Sequence, residues 1–284
     1  MAASIRSTSM PTRPHPISEQ VKECLNQLKQ WEDQSLPSTS SSLCTGFSRL
    51  CGLYQSIDDL LQLPQSTQQD LADKGCVDEV LECSIRLLDA GETASDVLLQ
   101  IKDSLEDVQM ALRRRSGTDA ELQKSMKTYI SLKKMISIKQ KTVIKSLKAL
   151  KKDKCGFSSA DDEPMAVVRE AMSISINVIE LLLSYFSASS KTASVKGCAV
   201  LKWIGSGRVA CEEEAKKMNE VERVDAFLSA LYSQKSNKLE EKAQDVQELL
   251  KSFIGSMQGI DDGLNLLQRR LIQTRVSLLN ILSH

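Results

Sequence analysis

The residues best suited to chemistry in this chain are lysines. Lys127, Lys134, Lys141, Lys145, Lys148 and Lys152 recur at helical spacing within residues 123–154, which hold eleven lysines and one acid, Asp153. Ammonium groups beside an apolar stripe hold anionic lipid headgroups at about 1 kcal/mol each, and the same charges can neutralise nucleic-acid phosphates. The segment has one aromatic residue, Tyr129, and no arginine, so base stacking and bidentate phosphate contacts are poorly provided for and nucleic acid is disfavoured. A third partner lies within the chain itself. Residues 58–107 carry thirteen acids against Lys74, Arg86 and Lys102, so a formal net charge of zero hides two opposed blocks. Pairing of those blocks with each other is the first reading, and an anionic membrane surface is the alternative.

Other reactive residue types lack the company that chemistry needs. The only histidines are His15 and His284, near the two ends, which removes a core imidazole from any triad, proton shuttle or zinc site. The acidic pairs Asp58-Asp59, Asp161-Asp162 and Asp261-Asp262 could attract a hard cation. Helix neighbours point about 100° apart, however, and no calcium-loop pattern surrounds them, so they read as solvated or helix-start charge. Gly205-Ser206-Gly207-Arg208 has neither the spacing nor the preceding strand of a phosphate loop and reads as a kink or turn between helices. No two of the eight cysteines are spaced C-x-x-C; Cys44 and Cys51, like Cys76 and Cys83, share a helix face and read as reduced, mostly buried thiols. No metal, cofactor or catalytic residue is assigned, and the chain is expected not to be an enzyme. A second interaction candidate is the segment 269–283, where Arg269, Arg270 and Arg275 adjoin a leucine-rich face that could pack inward or dock a partner protein.

Helices must position these groups. Aromatics are 4% of the chain, glycine is sparse, and residues 65–163 and 165–284 contain no proline, which permits long uninterrupted helices. Apolar residues at three- and four-residue spacing predict helices over about 18–34, 43–63, 76–115, 119–152, 164–189, 195–235 with a break near 205–207, and 237–282. The run 35–42 reads as a linker. Ser66 with Gln69, and Thr118 with Glu121, read as capping boxes. The apolar stretch 171–189 contains Asn177 and Glu180, and a carboxylate at bilayer depth costs about 2.5–3.5 kcal/mol, so it reads as a buried core helix. Residues 1–16 hold two arginines and no acid, too polar to order themselves, though the composition also suits an organelle transit peptide. Ala2 excludes N-myristoylation.

Several segments have a familiar look in combination: GFSRLCGLYQSIDDLLQLPQSTQQDL at 46–71, CVDEVLECSIRLLDAGE at 76–92, the arginines at 113–115 and RRLIQTRVSLLNILS at 269–283. Together they closely resemble a plant family of unknown biochemical function, often labelled BYPASS-like, and the resemblance covers almost the whole chain. It implies a helical plant protein with relatives linked to root and shoot development, and it brings no active site to carry over. One departure, Ala90-Gly91 where a bulkier or cysteine-containing pair is expected, bears on local packing. The expectation is therefore an all-α protein: a disordered basic tail over 1–16 and one elongated bundle of long antiparallel helices over 17–284, divisible into 17–155 and 160–284. It would be a cytoplasmic scaffold or regulatory interaction protein acting on other proteins. The alternatives are a peripheral membrane protein, or a plastid protein if the tail is a transit peptide.

Overall fold

The structure, a computed structural model, describes residues 16–34, 39–63, 74–114, 119–154, 163–187, 218–233 and 239–283. Seven helices make up these residues: α1 Pro16–Gln34, α2 Ser40–Leu61, α3 Lys74–Arg113, α4 Asp119–Lys154, α5 Glu163–Ser187, α6 Glu220–Ser233 and α7 Leu239–Ser283. There is no strand among them, and the fold is all-α as the composition requires. The basic tail before Pro16, the Ser66 and Thr118 caps, Asp161-Asp162, the Gly205–Arg208 break and Cys155, Cys198 and Cys211 lie outside the described residues.

Helix ends follow local chemistry. Pro16 opens α1 and Pro164 stands in the first turn of α5, where a missing N–H costs nothing. The serine run read as linker contributes the start of α2, because the Thr39 hydroxyl accepts from the Ser42 N–H at 3.2 Å and caps the helix. At the entry to α6, Asn219 Oδ1 accepts from the Glu222 N–H at 2.6 Å while the Glu222 carboxylate accepts from the Asn219 N–H at 3.1 Å, closing a reciprocal cap.

Side-chain contacts fix the helix directions. Asp96–Lys139 and Arg114–Glu121 run in opposite order along α3 and α4, an antiparallel hairpin. Lys102 to Gln258 and Leu112 to Gln247 show the same for α3 and α7. By contrast, Asp58 meets Thr274 and Phe47 backs onto Gly263, so α2 and α7 run parallel. That follows from the hairpin order: the chain reverses between α2 and α3, and α7 opposes α3, which leaves it aligned with α2.

Apolar burial holds these helices together in one continuous cluster from Val21 to Leu278. Apolar stripes face inward: Leu43, Phe47, Leu50, Tyr54 and Ile57 on α2, and Leu250, Phe253, Met257, Ile260, Leu264, Leu267 and Leu271 on α7, all essentially without solvent contact, whereas Val276 and Leu279, expected on the inner face of α7 as well, are exposed. Each large side chain so buried contributes about 1.5–3 kcal/mol. Helix α5 is buried along most of its length, as a core helix should be. No described helix is long and apolar enough to cross a membrane. Small residues allow the closest approaches. Gly46 lies under the Trp31 indole, where a Cβ would overlap the ring, and a Cβ on Gly91 would come 3.0 Å from Gln268 Nε2 of α7. The Ala90-Gly91 departure thus sits where α3 and α7 pack tightly.

Candidate functional site

Helix α4 has two faces set by its sequence. Met126, Tyr129, Ile136, Gln140, Leu147 and Leu150 are buried at intervals of three, four and seven residues, which keep to one helix face, and pack the helix against α3 and α5. At about 100° per residue, Lys124, Lys127, Lys134, Lys141, Lys145, Lys148 and Lys152 fall within an arc of about 120° on the opposite side, about 42 Å long. All seven are exposed. Among the described residues, none of them has an acid within 4 Å.

The acidic helix is nevertheless the neighbour. Helices α3 and α4 do form the predicted antiparallel pair, but one lysine of α4, Lys139, bridges to α3, meeting Asp96 at 3.2 Å; at the hairpin end Arg114 of the α3 terminus meets Glu121 of α4 at 3.2 Å. Both pairs are solvent-exposed, where an ion pair contributes about 0–1 kcal/mol. Apolar contact, rather than the charge blocks, joins the helices. The geometric reason is that lysines and acids lie off the two stripes and so point away from each other.

Two lysines on the flanks of α4 are used internally. Lys133 donates to the Phe186 carbonyl at 2.7 Å and lies 3.2 Å from Asp225 Oδ2, while the Tyr129 hydroxyl donates to Asp225 Oδ1 at 2.6 Å. Burial, reinforced by the adjacent carboxylate, pushes the Tyr129 hydroxyl well above its ordinary value. A cleft of about 220 Å³ opens beside this trio, lined by Ser137, Phe186 and Leu228 among others. Lys151 donates to Asn177 Oδ1 at 2.8 Å. Burial raises the Glu180 carboxyl, and Lys148 and Lys151 pull it back.

A second polar node pins the start of α6. The Glu220 carboxylate accepts from the Ser40 N–H at 3.0 Å, the Ser40 hydroxyl at 3.1 Å and the Tyr185 hydroxyl at 2.6 Å. It thereby caps the start of α2 while holding the end of α5. Sequence reading missed both nodes. The available signal for the first was Asp225 in the midst of Val221, Val224 and Leu228, a carboxylate on an apolar stripe that must find a buried partner.

Asp58 corrects the reading of the acidic pairs. Asp59 is exposed and takes a hydrogen bond from Gln55, but Asp58 is fully buried and accepts from the Thr274 hydroxyl at 2.7 Å. Burial raises its carboxyl, against the Thr274 hydrogen bond and the charge of Arg270. Asp261 is half-buried and Asp262, exposed, accepts from Gln258. No group of three or more metal-ligating side chains occurs among the described residues.

The arginine segment divides. Arg275 turns inward and donates to the Leu81 carbonyl and, at 2.9 Å, to Ser84 Oγ on α3. Arg270 is half-buried and donates to Gln273 at 3.1 Å. Arg269 is exposed, in line with Ile272, Val276 and Leu279, which are exposed as well, whereas Leu271 and Leu278 are buried in the core.

Long amphipathic helices around a shared apolar core, with a cationic outer face on one of them, define an all-α helical-bundle protein. The family model described as Protein BPS1 matches residues 46–281. The chain belongs to that family, the plant BYPASS-like family that its motifs resemble. No curated protein and no solved structure matches it.

Proposed function

We propose that this protein is a non-enzymatic helical interaction protein of plant root and shoot development, working in the cytoplasm through the outer faces of its helices. Family membership implies the developmental setting. The observation that carries the biochemical part is the outward face of α4, where seven exposed lysines have no acid within 4 Å among the described residues. Charges of one sign concentrated on one face raise the local concentration of an anionic partner and orient its approach. The buried polar groups support the non-enzymatic reading, since Tyr129, Asp225 and Lys133, Glu220 and Tyr185, and Asp58 and Thr274 each join one helix to another. The exposed line of Arg269, Ile272, Val276 and Leu279 on α7 offers a second face for a protein partner.

Complementation tests this reading. A chain carrying Lys→Glu at 127, 134, 141 and 145 is expected to keep its helicity and its melting temperature yet fail to restore growth in plants lacking the gene. Full rescue by that chain at normal protein level would remove the α4 face from the function. Turnover of a small molecule by the purified protein, abolished by one point substitution, would make it an enzyme instead.

A further inference from the structure

The lysine arc of α4 is interrupted by apolar side chains that no internal role explains. Ile138 lies inside the arc and is 69% exposed, and Met135 lies at its edge beside the Lys124 row and is 64% exposed. These are the two most exposed large hydrophobic side chains among the described residues. On a helix whose other large apolar residues are buried or half-buried, both stand in water between ammonium groups.

We propose that this face lies on the surface of an anionic lipid bilayer, with the lysines at the headgroups and Ile138 and Met135 inserted at the boundary with the acyl chains. The inference rests on the reading of α4 as a contact surface and names its partner. Three features select a bilayer over other polyanions. An apolar side chain amid the lysines gains nothing from a phosphodiester backbone or an acidic peptide, but it gains burial in lipid. The face is one continuous helix surface about 42 Å long, which suits a plane. Its cations are all lysine, with neither the arginine forks nor the aromatic rings that nucleic acid would engage. The exposed Thr128, Thr142 and Ala149 beside the arc are small enough to let the helix lie flat.

Sedimentation of the full chain with phosphatidylcholine vesicles containing increasing phosphatidylserine tests this. Binding is expected to rise with phosphatidylserine and fall with salt. Lys→Glu at 127, 134, 141 and 145 is expected to lower partitioning by about a hundredfold or more, and Lys→Gln at the same positions to give a smaller loss in the same direction. Ile138→Ser with Met135→Ser is expected to cost about tenfold while leaving the salt dependence in place. Circular dichroism melts confirm that each variant is folded. Equal binding to vesicles without phosphatidylserine, or full binding by the Lys→Glu chain, overturns the proposal. So does binding to a double-stranded DNA fragment as tight as to vesicles and indifferent to the Ile138 and Met135 changes. If no vesicle binds while the Lys→Glu chain still fails to complement, the bilayer is excluded and the contact-surface reading stands.

Discussion

At the scale of residues, the informative groups are polar side chains without water. Asp58 Oδ2 has no hydrogen-bond partner, and Thr274 supplies the one hydroxyl that its carboxyl receives. Thr274→Val keeps the shape and removes that donor. Such a loss costs about 1–3 kcal/mol, and denaturant unfolding should show it. Because burial raises the Asp58 carboxyl, the folded chain keeps its proton at pH values where the unfolded chain has released it. The stability this group contributes is present below the ordinary carboxylate range and is lost as pH rises through the folded value. The wild-type chain should therefore lose stability relative to Asp58→Asn as pH is raised from about 4 to about 7, and a difference that stays flat or reverses would refute the assignment. Cys51 belongs to the same scale: burial pushes its thiol up to about 11, as suits an inert core cysteine.

Elements meet through seams whose fit is testable. Gly46 lets α1 and α2 approach until the buried Trp31 indole lies on the α2 backbone, so Gly46→Ala should cost about 1–3 kcal/mol by overpacking, read as a lower denaturation midpoint. Gln140 sits in the apolar seam of α4, fully buried, and neither its side-chain nitrogen nor its oxygen has a partner. Replacing such an orphaned amide by an apolar group of similar size recovers its desolvation cost. Gln140→Leu should stabilise the protein by about 1–3 kcal/mol, and a destabilised variant would show that the amide is satisfied in solution. Helix α6 is held differently, by Glu220 at one end and Asp225 in its middle, each met by a buried tyrosine.

At the scale of the whole molecule, two charge blocks coexist without neutralising each other. If complementary charge fixed the pairing of α3 with α4, screening would weaken the fold. With Lys139–Asp96 and Arg114–Glu121 both exposed, moderate salt should change the unfolding free energy by less than about 1 kcal/mol, as compared by urea titration at low and physiological salt. The same screening should sharply reduce any binding to an anionic surface. Salt thus leaves the fold nearly unchanged while it weakens the contact, which separates the two roles in one pair of measurements.

The periodicity of apolar residues determined the helices, their faces and the all-α class by itself, because which side chains share a face depends only on spacing along the chain. Thus the stripe of α4, the buried character of α5 and the outward direction of Lys127, Lys134, Lys141, Lys145, Lys148 and Lys152 were legible from residue order alone. Charge composition suggested that the acidic and basic helices neutralise each other. Tertiary structure decided otherwise, since a charge pairs only with what its face meets, and both sets point away from the shared seam. It also decided which polar residues lie inside. Asp58, read as surface charge, is buried because α7 lies parallel to α2 and brings Thr274 over it. Arg275, on a segment that could pack inward or dock a partner, reaches Leu81 and Ser84 because α7 opposes α3. Those juxtapositions join residues about 200 positions apart. Local spacing holds no information about such contacts; they arise only when the helices assemble around a common core.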